Sequence, residues 1–136
     1  MTVLEAVAAA PGIVLHALTV TASAGRCTVS VEVRRADDHA AAIAEGLNVT
    51  PITRRLVADA TLRALATLEP VALAFGVDGV AVGPVGSETV ASLSMLDGRR
   101  AGAGAFAGAA VVGLAGEHDA ISRAVLDSAF RRLLDA

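Results

Sequence analysis

Between residues 52 and 68 the hydrophobic and polar positions recur with the period of an α-helix. Apolar or small side chains fall three or four positions apart on one side, at Val57, Ala60, Thr61, Ala64, Leu65 and Leu68. Arg55, Asp59 and Arg63 recur at every fourth position on the opposite side, where oppositely charged neighbours stabilise a helix modestly. The pattern predicts an amphipathic helix with a core-facing stripe and a solvated ladder of charges.

The same pattern returns near the end of the chain, between residues 120 and 134. When Leu56 is set against Ala124, the segments carry the same residue at Arg55/Arg123, Val57/Val125, Asp59/Asp127, Arg63/Arg131 and Leu65/Leu133. Two similar helices, each preceded by strand-like sequence, predict a duplicated α+β unit. The alternative is a chance match produced by helical periodicity and an arginine-rich composition.

Strand-like sequence fills the rest of both halves. The predicted strands of the first half are residues 13–22, 27–33 and 40–48. The third is rich in alanine and is also compatible with a helical turn. Those of the second half are residues 71–82, 88–96 and 99–114. Ala24-Gly25 and Asp97-Gly98 predict the turns of two hairpins.

These elements predict an α+β fold of the order βββα-βββα, in which two helices pack on antiparallel sheet and a pseudo-twofold axis relates the halves. The chain of 136 residues is expected to form a single domain. Its predicted parts are an N-terminal arm over residues 1–12, a first half over 13–69 and a second half over 70–136.

Composition narrows the classes of function. The chain is 54% hydrophobic but only 2% aromatic, so its core must be built from small aliphatic side chains, and stacking platforms for bases are not expected. All eleven basic residues are arginine and the net charge is −3. This excludes Schiff-base chemistry and argues against nucleic-acid binding.

The same composition bears on where the protein works. A single cysteine, Cys27, cannot form an internal disulfide and favours a reducing compartment. The N-terminus lacks the basic region of a signal peptide, and the uncharged run over residues 101–116 is too short and too rich in glycine to span a membrane. We therefore expect a soluble cytoplasmic protein without membrane association.

The helix sequences RLVADATLRAL and RAVLDSAFRRLL resemble those of a known family. Together with the repeated βββα order they are similar to the regulatory (allosteric, dimerisation) domain of 2-isopropylmalate synthase and related acyl-transfer synthases. The matching positions are Val57, Asp59, Ala60, Leu62, Arg63, Ala64 and Leu65 in the first helix and Arg123, Ala124, Leu126, Asp127 and Arg131 in the last. The resemblance implies a stand-alone regulatory domain with an amino-acid effector. The segment before the first helix keeps Gly46 and Pro51 but lacks the family's other glycines.

Residues that could carry chemistry are few. Gly102, Gly104 and Ala107 fit a permissive dinucleotide-binding pattern, but no helix begins directly after them. A strand whose small residues admit a close neighbour is the preferred interpretation. We expect Cys27 to be a small core residue. These observations predict no catalytic residue and no cofactor.

Two further sets of polar residues are candidate sites. The histidines His16, His39 and His118 lack metal-ligand spacing, although clustering in space remains open, and no metal site is predicted. Arg99-Arg100 could bind an anion or form a solvated hairpin tip.

A ligand site and an interface are predicted instead. If the resemblance extends to function, a small amino acid or carboxylate is expected between the halves, where helix N-termini can receive its charge. The residues expected there are Gly46, Thr50, which is placed to cap the first helix, Gly116 and Asp119. Leu62 and Phe130 occupy matching helix positions and are predicted to cover a partner subunit or to widen the core stripe. Gly104 and Gly108 are candidate close contacts.

The sequence therefore predicts a non-catalytic regulatory or assembly module that forms a homodimer and responds to a small-molecule effector. The alternative is a small enzyme that acts on a carboxylate metabolite at the junction of the two halves.

Overall fold

The computed structural model describes residues 12–99 and 104–134, so most of the predicted N-terminal arm lies outside the described residues. The first half contains β1 (Val14–Ser23), β2 (Arg26–Arg35), β3 (Asp38–Leu47) and helix α1 (Thr50–Leu68). A short 3-10 helix (Pro70–Ala74) leads to β4 (Phe75–Val85), β5 (Glu88–Asp97), β6 (Ala105–Val111) and helix α2 (Gly116–Leu134). The predicted α+β class and the βββα-βββα order are confirmed.

The strands form two antiparallel sheets of three, in the orders β1-β2-β3 and β4-β5-β6. In each sheet the pairing of the first two strands shifts at one residue near the start, which is His16 in β1 and Asp78 in β4. Such a bulge inserts an extra residue and bends the strand locally. The same irregularity at the same place in both sheets supports a duplicated unit.

Several predicted boundaries differ from the structure. Residues 38–47 form a full strand, because they pair with β2 along their whole length and bury Ala40 and Ala44. The N-cap of α1 is Val49, without a side-chain cap, and Thr50 lies inside the first turn. β4 starts at Phe75 because the 3-10 helix occupies residues 70–74.

The connection between β5 and β6 is not the short hairpin that Asp97-Gly98 predicts. The last ladder pair joins Leu96 to Ala105, so a longer connection separates the strands. The predicted strand over residues 99–114 is reduced to Ala105–Val111. Arg100 and Gly102 lie outside the described residues.

The core lies between the two sheets and the two helices. Its centre on the sheet side is formed by alternate residues of β2 and β5, namely Cys27, Val29, Val31, Val33, Ala91, Leu93 and Met95. Cys27 is completely buried, which agrees with its predicted role. Each helix also contacts the first strand of the other half, α1 with β4 and α2 with β1. The halves therefore interlock and share one core.

The helices meet through small polar side chains as well as apolar ones. Thr61 Oγ1 and Ser122 Oγ lie 2.8 Å apart in a buried hydrogen bond, and Thr61 also donates to the carbonyl of Val57. Near the helix N-termini, Arg54 Nη2 donates to Glu117 Oε2 over 2.9 Å. These contacts fix the two helices side by side, with their N-terminal turns close together.

Candidate functional site

Grooves lie where a helix of one half meets the first strand of the other, and two of them correspond in position. The first junction groove, between α1 and β4, has a volume of about 390 Å³. It is lined by Asp59, Leu62, Arg63, Ala66, Ala72, Leu73, Phe75, Gly76 and Val77. The second junction groove, between α2 and β1, has a volume of about 460 Å³. It is lined by Ile13, Val14, Leu15, Asp119, Arg123, Leu126, Asp127 and Phe130.

The grooves are equivalent by the duplication. Asp59 and Leu62 of α1 match Asp127 and Phe130 of α2 in the helix repeat. On the strand side, the residues preceding the β4 bulge face the same way as those preceding the β1 bulge. The matching helix positions therefore lie at two equivalent junctions between the halves, Asp59 and Leu62 at one and Asp127 and Phe130 at the other.

The second junction groove combines an apolar floor with charged side chains. Arg123 Nε donates to Asp119 Oδ2 over 2.7 Å, and its Nη2 donates to the carbonyl of Val111 over 3.3 Å. Asp127 accepts from Arg131 Nη2 over 2.5 Å. Two carboxylates and one guanidinium thus line the groove, beside aliphatic and aromatic side chains.

The first junction groove is lined by one half-buried carboxylate, Asp59. Burial raises the pKa of Asp59, and the nearby Arg55 and Arg63 oppose that rise. Arg55 Nε stands 3.8 Å from Asp59 Oδ2, while its other nitrogens donate to the carbonyls of Val77 and Asp78. In the ladder predicted to be solvated, Arg55 and Arg63 are exposed and Asp59 is half-buried, because the other half of the chain packs beside it.

The predicted ligand residues are dispersed. A Cβ on Gly46 would lie 3.1 Å from Ile52 Cγ2, so this glycine makes room for α1. Thr50 is exposed, and Gly116 opens α2 with a φ of 92° that a larger side chain rarely adopts. Of the four, Asp119 alone lines the second junction groove.

The predicted interface residues also have intramolecular neighbours. Leu62 is only 6% exposed, which favours the wide core stripe over a subunit contact, and Phe130 is half-buried in the second junction groove. Gly104 is exposed. Gly108 faces α2 so closely that a Cβ would lie 2.5 Å from the Cβ of Ser128. The small residues of β6 thus allow α2 of the same chain to pack closely against it.

Arg99 is occupied within the chain rather than available for an anion. Its side chain makes a bidentate contact with the buried carboxylate of Asp97, and Arg132 Nε donates to the same carboxylate over 2.8 Å. Arg99 and Arg132 lie over the rings of Phe75 and Phe106, respectively, which pack edge to face. Hydrogen bonds from Arg99, and then from Arg132, hold the pKa of Asp97 well below its usual range.

Replacing Asp97 by asparagine should make the protein less stable at neutral pH and less sensitive to acid. Because the pKa of Asp97 is lower folded than unfolded, the stability it contributes is complete above its ordinary value of 3.8 and is lost as the pH falls below it. Urea unfolding between about pH 7 and pH 2 should show the gap between wild type and Asp97→Asn narrowing in acid. Asp37→Asn, in an exposed turn, is the control. Parallel curves for wild type and Asp97→Asn would contradict the prediction.

The structure brings together two histidines that sequence spacing kept apart. His16 Nε2 and His39 Nδ1 lie 3.5 and 3.6 Å from the same oxygen of Glu32, on the sheet face that points away from the helices. The bulge at His16 turns this side chain outward, which the alternation of the strand could not reveal. Within residues 12–99 and 104–134, no three His, Cys, Asp or Glu side chains are arranged to hold a metal ion.

Comparison with models of known protein families, with curated proteins and with solved structures finds no match. Among the described residues, neither helix is long and apolar enough to cross a membrane.

Proposed function

We propose that this protein is a non-catalytic regulatory or assembly module that binds a small amino acid or carboxylate at the junction of its halves. The observation that carries the proposal is the second junction groove, where an apolar floor meets charged groups of both signs. The resemblance of the two helices to a synthase regulatory domain supports the same class of function.

The lining of this groove matches the chemistry of a small zwitterion. Arg123, whose Nε and Nη2 already donate to Asp119 and to the carbonyl of Val111, can offer its Nη1 to a ligand carboxylate in a charge-assisted hydrogen bond. Asp119 and Asp127 offer acceptors for an ammonium group. Leu15, Leu126 and Phe130 form the apolar part of the lining, where a ligand side chain is removed from water.

Calorimetry and heteronuclear NMR on the full chain test the proposal, with apolar amino acids and the corresponding 2-oxo acids as probes. Binding should shift the amide signals of Arg123 and Asp127. Arg123→Gln should weaken it by about tenfold or more, because a hydrogen bond to a charged group is lost. Arg26→Gln removes an equal charge from an exposed strand end and should leave binding unchanged. Neither heat nor signal shifts at millimolar probe would refute an effector site in this groove.

Following the probe itself distinguishes a small enzyme, the alternative function, from a regulatory module. A regulatory ligand stabilises the folded state by mass action and is recovered unchanged. Proton NMR spectra of each binding probe, recorded before and after prolonged incubation with the protein, should be identical. If the wild type converts a probe and Arg123→Gln abolishes that conversion, the protein is an enzyme instead.

A further inference from the structure

The outer face of the second sheet differs from the outer face of the first. It consists of the side chains of β4, β5 and β6 that point away from the helices. Across the strands these residues form the ladder rows Gly76-Leu96-Ala105, Gly79-Ser94-Ala107, Ala81-Ser92-Ala109 and Gly83-Val90-Val111. None of these four rows contains a charged side chain, but the next ladder pair on the same face, Val85-Glu88, brings the carboxylate of Glu88 to its end. Asp78, at the bulge on the β4 edge, is a second carboxylate and accepts a hydrogen bond from Ser94.

The matching face of the first sheet is charged. Its rows are Val14-Arg34-His39, Ala17-Glu32-Ala41, Thr19-Ser30-Ile43, Thr21-Thr28-Glu45 and Ser23-Arg26-Leu47. The two sheets share strand order and bulge position. The absence of charge from these four rows of the second sheet is therefore a property of that half, and the shared strand arrangement does not require it.

The four uncharged rows are also flat in their middle and carry apolar side chains toward both ends. Alanine, glycine and serine occupy the central rows, so another backbone can approach closely. Leu96 and Val111, at opposite ends, are each 49% exposed, and Val85 beyond them is 64% exposed. Apolar side chains rimming a contiguous uncharged patch are typical of an interaction surface.

We propose that two copies of this chain associate through the outer faces of their second sheets, related by a twofold axis. In a twofold contact each patch meets itself. A contact centred on the four uncharged rows avoids placing like charges together, which would cost several kcal/mol, and it leaves Glu88 and Asp78 at its margin. The contact accounts for the assembly part of the proposed function and does not depend on the effector.

The area of the face sets the expected strength. Three strands about 4.8 Å apart, over about eight residues of 3.3 Å each, cover roughly 350 Å² in projection per copy. Side-chain relief adds to this, so two copies bury on the order of 1,000 Å² in total, near the lower limit for a specific interface. A dimer with a dissociation constant on the order of 10 µM is expected, because small interfaces of this kind are weak.

The duplication supplies a matched pair of variants. Ser92 lies at the centre of the outer face of the second sheet, and Ser30 holds the matching position in the first. Sedimentation equilibrium of the wild type between about 1 and 500 µM should show a monomer becoming a dimer. Ser92→Arg should raise the dissociation constant about 100-fold, since like charges are forced together. Ser30→Arg should leave it within about twofold, because its site lies outside the contact.

A second measurement uses the unmodified chain, so it remains decisive if Ser92→Arg does not fold. On dilution of the wild type, the amide signals of Ser92, Ser94 and Ala107 should shift with the dimer fraction, while those of Thr19 and Ser30 should not. A wild type that stays monomeric at 500 µM, shifts confined to the first sheet, or equal effects of the two arginine variants would each overturn the proposal. Effector binding by a monomeric wild type would overturn the dimer alone and leave the effector site standing.

Discussion

Gly108→Ala should lower the free energy of unfolding by about 3 kcal/mol, since overpacking a well-packed site forces side chains and backbone to move. The added Cβ would stand 2.5 Å from the Cβ of Ser128 and 2.8 Å from the carbonyl oxygen of Ala124. The second neighbour is backbone of α2, so relief requires the helix to move away from β6. In an open strand the same change would stabilise the protein by about 0.4–1 kcal/mol, because alanine reduces the conformational entropy of the unfolded chain. A loss of stability would therefore indicate the close contact between β6 and α2.

Gly113→Ala is the matched control for this change. A Cβ at Gly113 would have no neighbour within 4 Å, so the free energy of unfolding should stay within about 0.5 kcal/mol of wild type or rise. Urea denaturation of the three proteins, analysed for both midpoint and slope, gives the comparison. If Gly108→Ala were as stable as Gly113→Ala, that result would contradict the close packing of β6 on α2.

The parts of the fold that depend on local pattern were predictable. Val29, Val31 and Val33 alternate with polar residues in the sequence, which indicates the buried face of β2, and the repeated spacing of arginine and aspartate located both helices. Residues 40–48 stayed ambiguous because alanine is compatible with strand and helix, and pairing with β2 decides between them. The division of six strands into two sheets depends on contacts between distant residues, which periodicity does not specify.

The candidate site was predictable only in part, for a similar reason. The helix repeat correctly matched Leu62 with Phe130, but which strand each would face depends on how the halves interlock. The expected ligand residues near the helix N-termini included Asp119, but the side of its groove opposite α2 comes from Ile13 and the start of β1, more than a hundred positions earlier in the chain. Glycine content alone could not show that Gly108 faces α2 while Ala107 and Ala109 face outward.

Leu62→Ala should lower the free energy of unfolding by about 2–4 kcal/mol, because it leaves a cavity among residues that relax only partly. Leu62 is 6% exposed and packs within its own chain, beside the first junction groove. Its cost should therefore be the same at every protein concentration. A residue that stabilises mainly by covering a partner subunit would instead show a cost that grows with the fraction of dimer.

Leu73→Ala provides the comparison for Leu62→Ala, because it makes the same chemical change in the lining of the same groove. Leu73 is 76% exposed, so its truncation should alter the free energy of unfolding by no more than about 0.5 kcal/mol. Urea denaturation at low and at high micromolar protein separates the two interpretations of Leu62. If Leu62→Ala lowers the free energy of unfolding only in the concentrated sample, Leu62 lies in a subunit interface. Self-association would then use the helices instead of the second sheet.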